Sequence, residues 1–246
     1  MKKGFSYYCY RVIRWLVWLF YPKMEVRGLE NLSEEPCIIA ANHTQMNGPI
    51  AGELYFPGDR AIWCAGEMME LKKVPDYAYA DFWSKKPKCI RWFYRILSYV
   101  IAPISVCVFN NAHTIAVYRG QKIIQTFRQT QTALEQGKNV VIFPEHEVPH
   151  NHIVYEFQEG FVDVARRYYK VTGKELSFVP MYIAPKLKTM YLGKPIAFRS
   201  ENPIGEERKR ICTYLMDQIT QIAVDLPEHV VVPYSNLPKK SYPKNK

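Results

Sequence analysis

The chain lacks most of the short signatures that would assign it quickly. It has no Cys-x-x-Cys pair, no zinc-finger spacing, no helix-turn-helix signature and no RNP motif. Nucleic acid is therefore the weaker reading of its charge. No internal repeat or low-complexity tract is visible, which excludes solenoid and other repeat architectures. The six cysteines, Cys9, Cys37, Cys64, Cys89, Cys107 and Cys212, are scattered through mostly apolar runs. They read as reduced, buried small hydrophobes in a cytosolic setting. Acidic residues are few: 23 Asp+Glu face 33 Lys+Arg, a formal net charge of +10. Such an excess attracts polyanions, and the anionic surface of a membrane is the favoured one here.

The amino-terminal segment also lacks something, an uninterrupted apolar centre. Phe5 to Tyr21 is apolar and aromatic except for Ser6, Arg11 and Arg14, and it ends at Pro22. Two mid-run arginines and a short length argue against a membrane span. A signal peptide would need a small-residue cleavage site, which is missing. The expectation is a basic, aromatic, amphipathic helix over residues 1–22, lying in the membrane interface. A helix packed on the protein's own core is the alternative.

What is present reads as an α/β chain. With 246 residues it can bury a sizeable core. Residues 23–237 are expected to form a single domain, a mostly parallel sheet flanked by helices. Residues 238–246, with Lys239, Lys240, Lys244 and Lys246, read as an unpacked basic tail. Strands are predicted at residues 37–41, 60–65, 114–118, 139–143 and 176–183. Helices are predicted from Pro49 to Tyr55 with Asn47 as its cap, to about Gln136, from Glu156 to Lys170, and from about Gly205 to Leu226. Residues 190–198 suggest a turn or hairpin around Gly193-Lys194-Pro195. The apolar run from Trp92 to Phe109 reads equally as a membrane-facing helix, a tunnel wall for an acyl chain, or ordinary core.

Chemistry concentrates at two strand ends. Pro36-Cys37-Ile38-Ile39-Ala40-Ala41 runs into Asn42-His43-Thr44-Gln45-Met46-Asn47-Gly48. About a hundred residues later, Asn139-Val140-Val141-Ile142-Phe143 runs into Pro144-Glu145-His146-Glu147. Buried strands that discharge titratable residues at one end suggest a shared rim, where α/β folds hold ligands. The pair resembles the first and third blocks, Asn-His-x-x-x-x-Asp and Phe-Pro-Glu-Gly-Thr-Arg, of the glycerolipid acyltransferases. That family includes the 1-acylglycerol-3-phosphate acyltransferases. The resemblance spans roughly residues 25–200. Arg119, after a strand and before Gly120, fits the second block, and Val179-Pro180-Met181 the fourth.

The resemblance implies a glycerol-3-phosphate acyltransferase-like fold on the cytoplasmic face of a membrane, as a peripheral or monotopic protein. It implies transfer of a fatty acyl group from a thioester, acyl-CoA or acyl carrier protein, to a lysophospholipid or related lipid acceptor. His43 would be the general base, with Asn47 and Glu145 as further catalytic groups. Asn42, Arg119, Glu147 and Pro180 would bind or position substrate, with Arg119 suited to bidentate contact with a phosphate. Membrane phospholipids are the expected partners. No metal or other cofactor is required beyond the acyl thioester.

This chain departs from the pattern at Gly48, where the family has an aspartate, and at His146-Glu147-Val148, where it has Gly-Thr-Arg. Three readings of Gly48 stand open. A carboxylate such as Glu145, Glu147 or Glu53 orients the imidazole, or the Asn47 side-chain oxygen does, or catalysis is impaired. Loss of an orienting carboxylate from a triad costs about ten-thousandfold in rate. The impaired case leaves a membrane lipid-binding protein. A third class arises from His146-Glu147-Val148-Pro149-His150, which matches His-Glu-x-x-His and precedes His152. As a metal-dependent hydrolase motif it would need a helix, which Pro149 would break.

Overall fold

The computed structural model describes residues 4–84, 86–118 and 120–246. In chain order the elements are α1 (Phe5–Phe20), β1 (Glu25–Arg27), β2 (Cys37–Ala41), α2 (Asn47–Tyr55), β3 (Arg60–Ala65), α3 (Val74–Ala78), α4 (Arg91–Asn111), β4 (Thr114–Val117) and α5 (Ile123–Glu135). They continue with β5 (Asn139–Ile142), β6 (Glu145–Pro149), β7 (Tyr155–Phe157), α6 (Asp163–Thr172), β8 (Ser177–Ala184), β9 (Thr189–Leu192), β10 (Ile196–Ala197) and α7 (Ile204–Asp225). The chain forms two compact units. One comprises Met1–Pro22 with Trp63–Thr126, the other Lys23–Ile62 with Phe127–Lys246.

The second unit holds the centre of the sheet. Its strands follow the order β1-β9-β8-β2-β5, with the first residues of β3, Arg60 to Ile62, paired in parallel with β5. β2 pairs in parallel with both β5 and β8. Parallel strands buried on both faces are near-continuous apolar runs, because neither side can tolerate charge. β2 fits: Ile38 and Ile39 point to opposite faces and both are fully buried. On α7, Ile211, Leu215, Ile219 and Ala223 recur every four residues and are buried, so one stripe of the helix packs inward against β8. β9 and β10 run antiparallel to β8, both on the same side of it.

Two local expectations change. Residues 156–162 do not start the helix: Tyr155–Phe157 pairs with β6, a 3-10 turn follows, and α6 begins at Asp163. Phe157, Phe161, Val164 and Ala165 are all buried, so their helix-like spacing records a common core and not one helix. At residues 190–198, where a turn or hairpin is expected, two strands lie in succession along β8, joined through Gly193-Lys194-Pro195. Gly193 sits between them because a β-carbon there would come within 2.9 Å of Pro180 Cγ and of Ile222 Cδ1.

The first unit is helical. Met68, Val74, Ala78 and Ala102 form its core, with Tyr77, Phe82, Ile101, Val106 and Phe109 packed around them. α1 is joined to the end of α4 through Ser6, whose Oγ accepts from Asn111 Nδ2 at 2.8 Å. Tyr10 is the buried residue of α1, while Trp15, Leu16, Trp18, Leu19 and Phe20 are exposed. On α4, Trp92, Phe93, Ile96, Tyr99 and Val100 are exposed too. Among the described residues, one helix, Lys88–Asn111, is long and apolar enough to cross a membrane.

Candidate active site

The site forms where β2 and β5 end side by side. The register Ile38↔Val140, Ile39↔Val141, Ala40↔Ile142 brings Asn42-His43 next to Phe143-Pro144-Glu145. Asn42 is buried and extends the ladder with its side chain. Its Nδ2 donates to the Ile183 carbonyl at 3.1 Å, and its Oδ1 accepts from the Ile183 N–H at 2.7 Å. This residue, expected to meet substrate, is bonded to the backbone of β8. Pro180 is also buried in β8, opposite Ala40.

Glu145 is 3% exposed and braces the site. One carboxylate oxygen accepts the His43 backbone N–H at 2.5 Å, and the other accepts the Tyr155 N–H at 2.8 Å. Burial pushes this carboxyl up to about 7, although the two N–H groups pull it down. The contact with His43 runs through the backbone, so Glu145 fixes the loop that carries the imidazole. Glu147 is exposed on β6.

His43 is half-buried as a residue, and its Nδ1 is buried with no hydrogen-bond partner among the described residues. Burial holds the imidazole below its ordinary value, with the backbone of Gln45 and of His43 itself opposing that shift. Burial thereby favours the neutral ring, the form a general base requires. Two aromatic rings meet it edge-on, Phe143 at 5.3 Å between centroids and Tyr234 at 5.7 Å.

The loop after His43 is tightly wound. Thr44 and Gln45 both take left-handed φ, 46° and 56°, a strained choice for non-glycine residues that clusters at functional sites. Asn47 opens α2 and does not cap it: Met46 occupies the cap position, and Asn47 Nδ2 donates to the Thr44 carbonyl at 3.0 Å. Gly48 does not have positive φ. It is glycine because of a close approach, since a β-carbon would lie 2.4 Å from the His43 carbonyl oxygen. An aspartate at this position has no place without a backbone shift.

The three loop histidines face different neighbours. His146 Nε2 lies 3.6 Å from a Glu156 oxygen, His150 Nε2 3.9 Å from an Asp217 oxygen, and His152 Nε2 3.4 Å from the Asn245 carbonyl. The His146–Pro149 segment is a strand, and among the described residues no group of three metal-binding side chains converges. Arg119 lies outside the described residues.

Sequence reasoning missed the carboxyl-terminal segment. Gln45 Nε2 donates to the Ser235 carbonyl at 3.2 Å and to the Tyr242 hydroxyl at 3.0 Å. The tail expected to be unpacked is tied down: Asn245 is 1% exposed and donates through Nδ2 to the Ala223 carbonyl at 2.7 Å. Its lysines suggested solvent, and the anchoring Tyr242 and Asn245 between them carry no periodic signal.

No family model matches the chain, and no curated protein does either. Among solved structures, it is similar to the 1-acyl-sn-glycerophosphate (LPA) acyltransferase PlsC from Thermotoga maritima. The likeness covers 90% of this chain and 83% of that one, at 15% identity and a TM-score of 0.48.

Proposed function

We propose that this chain is an acyltransferase that moves a fatty acyl group from acyl-CoA or acyl carrier protein to a lysophospholipid or related lipid acceptor. One observation carries the reading. The two motif segments, far apart in sequence, meet at the ends of adjacent parallel strands, and Glu145 holds the His43 N–H at 2.5 Å. That arrangement is what the resemblance to the glycerolipid acyltransferases requires of its first and third blocks.

In this mechanism neutral His43 takes the proton of the acceptor hydroxyl as its oxygen attacks the thioester carbonyl. The new C–O bond forms a tetrahedral intermediate, which collapses with loss of the C–S bond. The leaving thiolate takes the proton from the imidazolium and restores the neutral base. Glu145 positions His43 through the backbone, and Arg119 is the proposed partner of an acceptor phosphate. The exposed aromatic residues of α1 and α4, with a net charge of +10, suit a protein lying on an anionic membrane surface.

The unpartnered Nδ1 favours one second reading, a membrane lipid-binding protein that no longer turns over. Incubating the full chain with radiolabelled palmitoyl-CoA and vesicles carrying a panel of lysophospholipids separates the two. The expected result is labelled diacyl product with an equal release of free CoA. Retention of acyl lipid with no product from any acceptor would establish the second reading instead.

A further inference from the structure

Among the described residues no carboxylate holds the His43 imidazole: its Nδ1 is buried without a well-formed hydrogen bond, and the backbone of Gln45 and of His43 itself interacts with the ring. The terminal torsion of a histidine is broad by itself, so the packing around the ring also decides its orientation. Its neighbours are aromatic. Phe143 comes from the end of β5, its plane inclined 62° to the imidazole, and Tyr234 stands at 89°. Tyr155 packs on Tyr234 at 5.5 Å between centroids, and the Tyr155 N–H is bound to Glu145. The tyrosine ring is thus coupled to the same carboxylate that fixes the His43 backbone.

Tyr234 is delivered by a segment anchored at several points. His229, five residues earlier, is buried: its Nδ1 donates to the Pro227 carbonyl at 2.7 Å, which leaves Nε2 to accept from the Tyr182 hydroxyl at 2.8 Å. Asn245 Oδ1 accepts the His229 N–H at 2.8 Å, and the Val231 N–H donates to the Pro243 carbonyl at 2.9 Å. Next to Tyr234, the Ser235 carbonyl is bound by Gln45, which with Thr44 holds left-handed φ in the loop after His43. The segment therefore restrains both the imidazole and the loop that carries it.

We propose that Tyr234 is a positioning residue for His43, and that its ring, together with Phe143, does the orienting that the motif aspartate does in the resembled family. Edge-on aromatic contacts have a preferred geometry, so they restrict the imidazole as well as drying it. This rests on the assignment of His43 as base.

The test uses the full chain and two readouts. The first is an NMR titration of the His43 imidazole, which needs no substrate. The second is steady-state acyl transfer, resolved into kcat and KM. Tyr234→Ala should lower kcat at least tenfold with little change in the KM for acyl-CoA. It should also move the His43 titration upward toward its ordinary value as the ring is hydrated. Tyr234→Phe keeps the ring that meets His43 and Tyr155 and should restore most of the loss. If Tyr234→Ala does not fold, Tyr234→Leu keeps apolar bulk without a ring edge and should lower kcat in the same way, with a smaller rise in the titration because the imidazole stays largely dry. An unchanged kcat and an unchanged titration in a folded Ala or Leu variant would overturn the proposal, as would a Phe variant as impaired as Ala. If the parent chain transfers no acyl group, the functional reading fails alone, and the titration still decides whether Tyr234 governs the imidazole.

Discussion

Replacing Gly48 with alanine adds one β-carbon where there is no room for it. That atom would lie 2.4 Å from the His43 carbonyl oxygen, 3.1 Å from its carbonyl carbon and 2.8 Å from Phe143 Cε1. The Phe143 ring could swing away, but the carbonyl is backbone and already accepts the Gly48 N–H at 3.2 Å. The start of α2 or the His43 loop must therefore move. Overpacking of this kind costs about 1–3 kcal/mol. At about 2–4 °C per kcal/mol for a chain of this size, Tm should fall by roughly 2–12 °C. Acyl transfer should fall with it, because a displaced loop breaks the contact between Glu145 and the His43 N–H. Gly48→Asp carries the same β-carbon, so restoring the family's residue should lower activity, not raise it. Differential scanning calorimetry and the transfer assay on both variants check this. An unchanged Tm for Gly48→Ala, or an Asp variant faster than the parent, would refute the steric reasoning.

Glu145 gives a pH test. Burial pushes its carboxyl up to about 7 in the folded chain from 4.5 for a free side chain, so folding takes up a proton between those values. Its contribution is whole below pH 4.5 and is lost as the pH rises through 7, a span worth roughly 3 kcal/mol. Glu145→Gln should flatten that decline in denaturant titrations at pH 4.5 and 7.5, while lowering stability at pH 4.5 by about 1–3 kcal/mol because one N–H loses its acceptor. An identical slope in parent and variant would contradict it. For the membrane, Trp18→Ser with Trp92→Ser removes two exposed rings and should weaken binding to anionic vesicles without shifting Tm. High salt should release the parent only in part, since apolar insertion is not screened; complete release by salt alone would argue against insertion.

Much of the sheet was legible because its central strands β2, β5 and β8 are short apolar runs buried on both faces. β2, β3 and β5 lie where their apolar runs predict, and the two motif ends meet as their shared polarity suggested. Legibility failed where contacts depend on distant chain. Glu156 to Val162 has helical spacing, yet its first residues pair with β6, and nothing local announces the partner. Asn42 looked like a substrate ligand because it precedes His43, but its amide completes the ladder to β8. Gly48 reads in sequence as a missing motif aspartate; only the packed loop reveals that the His43 carbonyl excludes a side chain. Tyr234 was invisible for the same reason, since its role comes from a fold-back that no periodicity encodes.

The most direct test of the central claim is the rate of acyl transfer by His43→Ala, measured with palmitoyl-CoA and whichever lysophospholipid the parent accepts. Near-ultraviolet circular dichroism of the same sample should report an intact fold. Loss of transfer to background with the fold retained is the expected result. Transfer at the parent rate would contradict the assignment of His43 as the base.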